Sequence, residues 1–209
     1  MPKIKHVYVD GKLVGIGNVK VEEIEKEPRY FVTVTHDDWV EFPYKDDDFI
    51  KLYSNNRNYD FNNLKLDELL SKFKETPKDV DTLVQKLNKA GSHSYIPVYG
   101  YVHSGLTVSL APFSCRFDSG LLGILQIDSS FTNAKVIAKD WVKTVNMFLQ
   151  NDVYCVKITN ELGEGVDDIC GIYAMDGKSL ADEALDYLSD NYKISKEDII
   201  TAYNKLYYM

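Results

Sequence analysis

The stretch Tyr95–Asp128, YIPVYGYVHSGLTVSLAPFSCRFDSGLLGILQID, decides the fold. Ile96–Val102 and Leu106–Ala111 are apolar runs separated by His103-Ser104-Gly105. A third run, Leu121–Ile127, follows Asp118-Ser119-Gly120 and is apolar at nearly every position. A strand with one wet face alternates, whereas a strand covered on both faces reads as a continuous apolar run. Leu121–Ile127 is therefore expected inside a sheet, shielded on both sides. Pro112-Phe113-Ser114-Cys115, between the second and third runs, reads as a loop.

Downstream, Val136, Ile137, Trp141, Val145, Phe148 and Leu149 form a wide apolar face on a helix of about residues 131–150. Ser130 or Thr132 is its expected N-cap. Val153–Thr159 and Asp168–Met175 flank the polar loop Asn160–Gly165 and read as an antiparallel hairpin. Two helices follow, Leu180–Tyr192 behind Ser179 and Lys196–Tyr207 behind Ser195. In the second, Asp198 takes the reciprocal position of a capping box.

Upstream, Leu66, Leu69, Leu70 and Phe73 share one helical face, and Val80, Leu83, Val84 and Leu87 share another. Two short amphipathic helices over 65–74 and 79–90 are expected to cover one face of a sheet, with Asp79 or Thr76 capping the second and Gly91 ending it. Residues 4–34 read as β structure, with Asp10-Gly11 as a hairpin turn. Val19–Ile24 and Tyr30–Val34 extend this to a three- or four-stranded meander whose last strand reaches toward Phe42. The fold class is α+β: a largely antiparallel sheet from 96–127 and 153–175, covered by helices, with an N-terminal β-meander. Residues 1–63 form a β-rich segment and 64–209 the α+β core, either as separate units or as one continuous domain.

The chain carries 24 Lys and Arg against 32 Asp and Glu, a formal net charge of −8. An acidic surface is repelled by phosphate backbones, so direct nucleic-acid binding is not expected and a partner with a basic surface is. No apolar run approaches the roughly 20 residues that span a bilayer, and the first residues lack a signal-peptide core, so a cytoplasmic protein without membrane contact is expected. Three Cys without a CxxC pair suit free thiols in a reducing compartment.

His103-Ser104-Gly105, Pro112-Phe113-Ser114-Cys115 and Asp118-Ser119-Gly120 with Gly123 together resemble a group of uncharacterised bacteriophage and mobile-element proteins. Those read H-S-G, then P-F-S-C-x-W-D-S-G, then a strand pair close to D-V-Y-G and D-S-C-W-G-F-Y-G. Asp152-Val153-Tyr154-Cys155 and Asp168-Ile169-Cys170-Gly171-Ile172-Tyr173 answer the strand pair. The resemblance covers residues 95–175. Phe117 stands where Trp is usual, and Asp168-Ile169-Cys170-Gly171 lacks the Ser and the Trp. The resemblance implies a phage or mobile-element origin and no particular reaction.

Two readings of the central loop follow. In the first, His103 activates the Cys115 thiol, Asp118 orients the imidazole and the Ser119–Gly120 amides line an oxyanion pocket, giving a hydrolase or transferase. In the second, Cys115 is a small buried residue enclosed by Phe113, Phe117 and the Leu121–Ile127 strand, and the polar residues satisfy turn backbone. The second is preferred, because no established nucleophile signature surrounds Cys115. A zinc site from Cys115, Cys170, His103 and Cys155 lacks paired spacing, Asp46–Asp48 lack the alternation of a calcium loop, and Gly105, Gly120 and Gly123 do not form a phosphate loop. No metal and no cofactor are expected. The functional reading is a small acidic accessory protein that binds a host macromolecule and inhibits a defence or nucleic-acid-processing system. A virion assembly component is a further alternative. The candidate binding residues are Asp37, Asp38, Asp46, Asp47, Asp48, Ser104 and Ser119.

Overall fold

A computed structural model describes residues 7–9, 12–15, 29–56, 61, 64–74 and 79–208 of the chain. Its class is α+β with antiparallel strand pairing, as the sequence predicts. Among the described residues the strands fall into three sheets. The hairpin β1 (Val7–Val9) and β2 (Lys12–Gly15) stands as a pair. β3 (Phe31–His36), β8 (Val153–Thr159) and β9 (Gly165–Tyr173) form one sheet in the order β3-β8-β9. β4 (Ile50–Ser54), β5 (His93–Val102), β6 (Leu106–Ser109) and β7 (Ser119–Asp128) form the other in the order β4-β7-β5-β6.

The apolar run behaves as its composition demands. β7 lies between β4 and β5, and Leu122, Ile124, Leu125 and Ile127 are buried. Its two faces are sorted by a bulge. Val98 of β5 opposes Gly123 and Tyr99 opposes Leu121, which leaves Leu122 as the extra residue. Leu122, Leu125 and Ile127 therefore join one core, while Leu121 and Ile124 join the other. Gly123 is required at the bulge, because a Cβ there would lie 2.2 Å from the Tyr53 carbonyl oxygen on β4.

Helices cover both faces. α1 (Leu66–Phe73) and α2 (Val80–Ala90) lay Leu66, Leu69, Leu70, Val80, Leu83 and Leu87 against Ile124, the stripes read from the sequence. Gly91, with φ +78°, ends α2 in the left-handed conformation that favours glycine. On the other face α3 (Ala134–Leu149) buries Ala138, Trp141 and Val145 against β4, β5, β6 and β7. Asn133, rather than Ser130 or Thr132, is its N-cap, accepting from the Val136 amide. Two helix-borne asparagines satisfy strand backbone that has no ladder partner. Asn146 of α3 pairs both ways with Val108 on edge strand β6, at 2.9 Å for each bond. Asn88 of α2 does the same for Tyr95. Such caps block edge pairing with another chain.

The second sheet has its own helices. α4 (Gly177–Leu185) and α5 (Lys196–Tyr208) bury Leu180, Ala181, Ala184 and Ile199 against Val34, Tyr154, Val156, Ile158 and Ile172. Asp176 rather than Ser179 is the N-cap of α4. Ser179 supplies the reciprocal bond of its capping box. The helix stops at Leu185, and Asp190–Tyr192 is a separate 3₁₀ turn. The Ser195–Asp198 box at α5 forms as read: the Ser195 amide reaches Asp198 Oδ2 at 2.9 Å and the Asp198 amide reaches Ser195 Oγ at 3.2 Å.

Two sequence expectations change. Residues 96–127 and 153–175 build two sheets rather than one, so α3 and the C-terminal helices serve different sheets. Among the described residues β1 pairs with β2, and β3 pairs with β8 from Phe31↔Thr159 to His36↔Tyr154 and ends at His36 rather than reaching toward Phe42. An isolated strand's pattern cannot say which distant strand completes its ladder. Val19–Ile24 lies outside the described residues.

Candidate functional site

The loop 37–49 joins β3 of one sheet to β4 of the other. Asp37 starts it and is 9% exposed. Its backbone N–H donates to Val153 O at 2.8 Å. Oδ1 accepts from the Trp39 amide at 3.1 Å and Oδ2 from the Gly171 amide on β9 at 3.0 Å. Asp37, expected on a contact surface, is thus an internal anchor, because two backbone donors replace the water it gives up. Asp47 is similarly occupied: its Oδ1 accepts from the Phe49 and Ile50 amides at 2.7 and 2.9 Å. Asp48 is exposed and sits 3.7 Å from Lys51. Asp38, Glu41 and Asp46 are exposed.

Between these carboxylates stands Trp39, 92% exposed. A tryptophan with this much surface in water is rare in a folded domain unless something else covers it. The signal in the sequence is Asp37-Asp38-Trp39-Val40-Glu41, a tryptophan without apolar periodicity around it, set among acidic residues.

The central loop holds the other candidates. The Cys115 thiol, half-buried, donates to Asp118 Oδ2 at 3.6 Å, and the Ser119 hydroxyl donates to the Cys115 carbonyl. The His103 ring stacks on Tyr101 with centroids 6.0 Å apart, and Tyr101 in turn meets Phe113 at 5.5 Å. Among the described residues no hydrogen bond joins His103 to Cys115. Ser104, at φ +56°, donates its hydroxyl to the His103 carbonyl within the turn. Phe117, expected to enclose Cys115, is 98% exposed. It stands beside a hollow of about 410 Å³ lined with Val102, Leu106, Asp118 and Leu122. Ser119 thus bonds to backbone of its own loop, whereas Asp118 meets the Cys115 thiol instead of a backbone amide.

The remaining cysteines are not free thiols. Cys155 on β8 and Cys170 on β9 form a disulfide that closes 15 residues. Antiparallel pairing places them opposite each other, which sequence spacing does not reveal. An oxygen of Asp37 and the two sulfurs lie within 4.8 Å of one another. Bonded to each other, the sulfurs offer no thiolate to a metal. Cys115 and His103 do not belong to this cluster.

Several tyrosine hydroxyls are electrostatically held. Burial, then the neighbouring Tyr207 and Tyr203, pushes the Tyr154 phenol far above its ordinary value. Burial, then the charges of Tyr44 and Asp37, pushes Tyr173 up to about 12. Among the described residues the enclosed Tyr173 hydroxyl has no hydrogen-bond partner.

Comparison of the chain with family models, curated proteins and solved structures finds no match in any of the three. Among the described residues no helix is long and apolar enough to cross a membrane.

Proposed function

We propose that this is a non-enzymatic accessory protein of phage or mobile-element origin that works in the host cytoplasm by binding a host protein with a basic surface. Inhibition of a defence or nucleic-acid-processing enzyme is the form that fits, since such enzymes present basic grooves to their own substrates. The observation that carries the reading is Trp39, 92% exposed on a loop that also exposes Asp38, Glu41, Asp46 and Asp48. An indole face stacks on a guanidinium, and carboxylates beside it take the same group's N–H donors. Aromatic anchors of this kind carry most of the energy of an interface, and the acidic rim adds steering. The Cys/His hydrolase or transferase alternative needs His103 on the Cys115 thiol, and the two are not hydrogen-bonded.

Pull-down from bacterial lysate, at low and high salt, tests the reading with three proteins: wild type, Trp39→Ala, and Asp38→Asn/Asp46→Asn/Asp48→Asn. The captured protein is identified and titrated. Trp39→Ala should weaken it by about 30-fold, the scale of a hot-spot residue. The triple variant should lose the salt dependence, because screened surface charges supply it. A partner held equally by all three proteins would remove the reading.

A further inference from the structure

The β8–β9 hairpin carries a reactive group that the Trp39 loop does not itself contain. Cys155 is 6% exposed, whereas Cys170 is exposed. The two residues of the disulfide are thus unequal: Cys170 is exposed and Cys155 is buried. Beside them Asp37, itself buried, accepts from Gly171, the residue after Cys170, and from Trp39. One carboxylate therefore ties the disulfide-bearing strand to the loop that exposes the tryptophan. Gly171 has φ +76°, in the left-handed region, and the β8–β9 register shifts between Tyr154 and Val156. The regular ladder is interrupted at the disulfide, and the Gly171 amide is given to Asp37.

We infer that Cys155–Cys170 is a thiol-exchangeable disulfide, attacked at Cys170 by a low-molecular-weight thiol, whose redox state sets the position of the Trp39 loop through Asp37. Access is one of the factors that select the sulfur an incoming thiolate attacks, and Cys170 is the exposed residue of the pair. The thiolate RS⁻ bonds to Cys170 Sγ as the Cys155–Cys170 bond breaks, and the electron pair leaves on Cys155 Sγ. Cys155 takes up a proton, since a buried thiolate beside a carboxylate is electrostatically unfavourable. A second RS⁻ attacks the external sulfur of the mixed disulfide, releasing RSSR and the Cys170 thiolate. The protein gains two electrons and two thiols are oxidised to one disulfide. Cleavage frees Cys170 from β8, and the Gly171 amide next to it, which Asp37 accepts together with the Trp39 amide, is no longer held by the crosslink. The effect on partner binding rests on the proposed role of the Trp39 loop. The thiol chemistry does not.

The experiment uses the full chain carrying Cys115→Ser, so that only the pair reacts, and millimolar glutathione as the probe. Mapping of acid-quenched, non-reduced peptides should place the mixed disulfide on Cys170 over Cys155 by about tenfold or more, as access dictates. Acrylamide quenching should report Trp39 alone, since Trp141, the only other tryptophan, is buried. That quenching should change on reduction while the circular dichroism stays the same. It should not respond to glutathione in a protein that also carries Cys155→Ser and Cys170→Ser. Adduct on Cys155, reduction only in denaturant, loss of the fold on reduction, or Trp39 quenching indifferent to redox state would each overturn the inference. None of these readouts uses a partner, so a failed pull-down leaves the thiol chemistry standing and a failed exchange leaves the binding reading standing.

Discussion

The two larger sheets solve the same problem differently. The β4-β7-β5-β6 sheet is sandwiched, with α3 on one face and α1 and α2 on the other. The β3-β8-β9 sheet is backed by α4 and α5, which pack on Val34, Tyr154, Val156, Ile158 and Ile172. Phe31, Thr33, Lys157, Asp168 and Cys170 remain exposed on that second sheet. Burial on both faces makes the middle of β7, Leu122–Leu125, scaffold. The half-covered sheet has positions to spare, and there the disulfide, Asp37 and the root of the Trp39 loop meet. A disulfide suits such a sheet, because a single covered face supplies less hydrophobic stabilisation than two.

The contrast is broken most sharply by charge. Ile124→Asp places an unpaired carboxylate between the two covering layers and should cost about 4 kcal/mol. Val166→Asp, on exposed β9, should stay within about 0.5 kcal/mol. Denaturant titration of both variants checks this, and equal losses would erase the distinction between the sheets.

A smaller effect is expected from the staple of the second sheet. Replacing Cys155 and Cys170 together by Ala should destabilise by about 3 kcal/mol, the value for a closed loop near 15 residues. The change should appear as a lower urea midpoint. Hydrogen exchange should accelerate in β8 and β9 before it does in β7. Uniform acceleration would mean that the sheets unfold as one unit.

The smallest effect concerns Tyr173. Its folded pKa of about 12 lies above the ordinary phenol value of 10.0. The unfolded chain therefore releases this proton first, so the phenol's contribution is full below pH 10 and is lost as pH rises from 10 toward 12. Thermal melts across that window should fall in wild type and fall less steeply in Tyr173→Phe. At neutral pH the same substitution should be neutral or stabilise by about 1 kcal/mol, because it removes a buried hydroxyl that has no partner. A marked loss at neutral pH would reveal a bond to that hydroxyl.

Much of this was legible where the physics is local. The stripe Leu66, Leu69, Leu70, Phe73 and the stripe Val80, Leu83, Val84, Leu87 follow helical period, and both meet the sheet as read. The Ser195–Asp198 box needs only four consecutive residues. The caps at Asn133 and Asp176 are not legible in the sequence, because each competes with a serine or threonine within three positions and backbone geometry chooses between them. Of the candidate site, Asp38, Asp46 and Asp48 were read as exposed acid and are exposed. Asp37 was grouped with them and is buried, since nothing in the sequence announces that Gly171, 134 residues away, donates to it.

By itself the sequence determined the class, the helices and the interior strand, because periodicity and continuous apolarity act through neighbours along the chain. It also determined the acidic balance. Tertiary structure alone decided that residues 96–127 and 153–175 belong to different sheets, that β3 crosses to β8, and that Cys155 meets Cys170. It alone stacked His103 on Tyr101 and stood Trp39 and Phe117 in water. The sheet partition, the β3–β8 pairing and the disulfide depend on which distant strand completes a backbone ladder. Every strand offers the same N–H and C=O groups, so the choice is made by the packing of whole faces and not by any one segment.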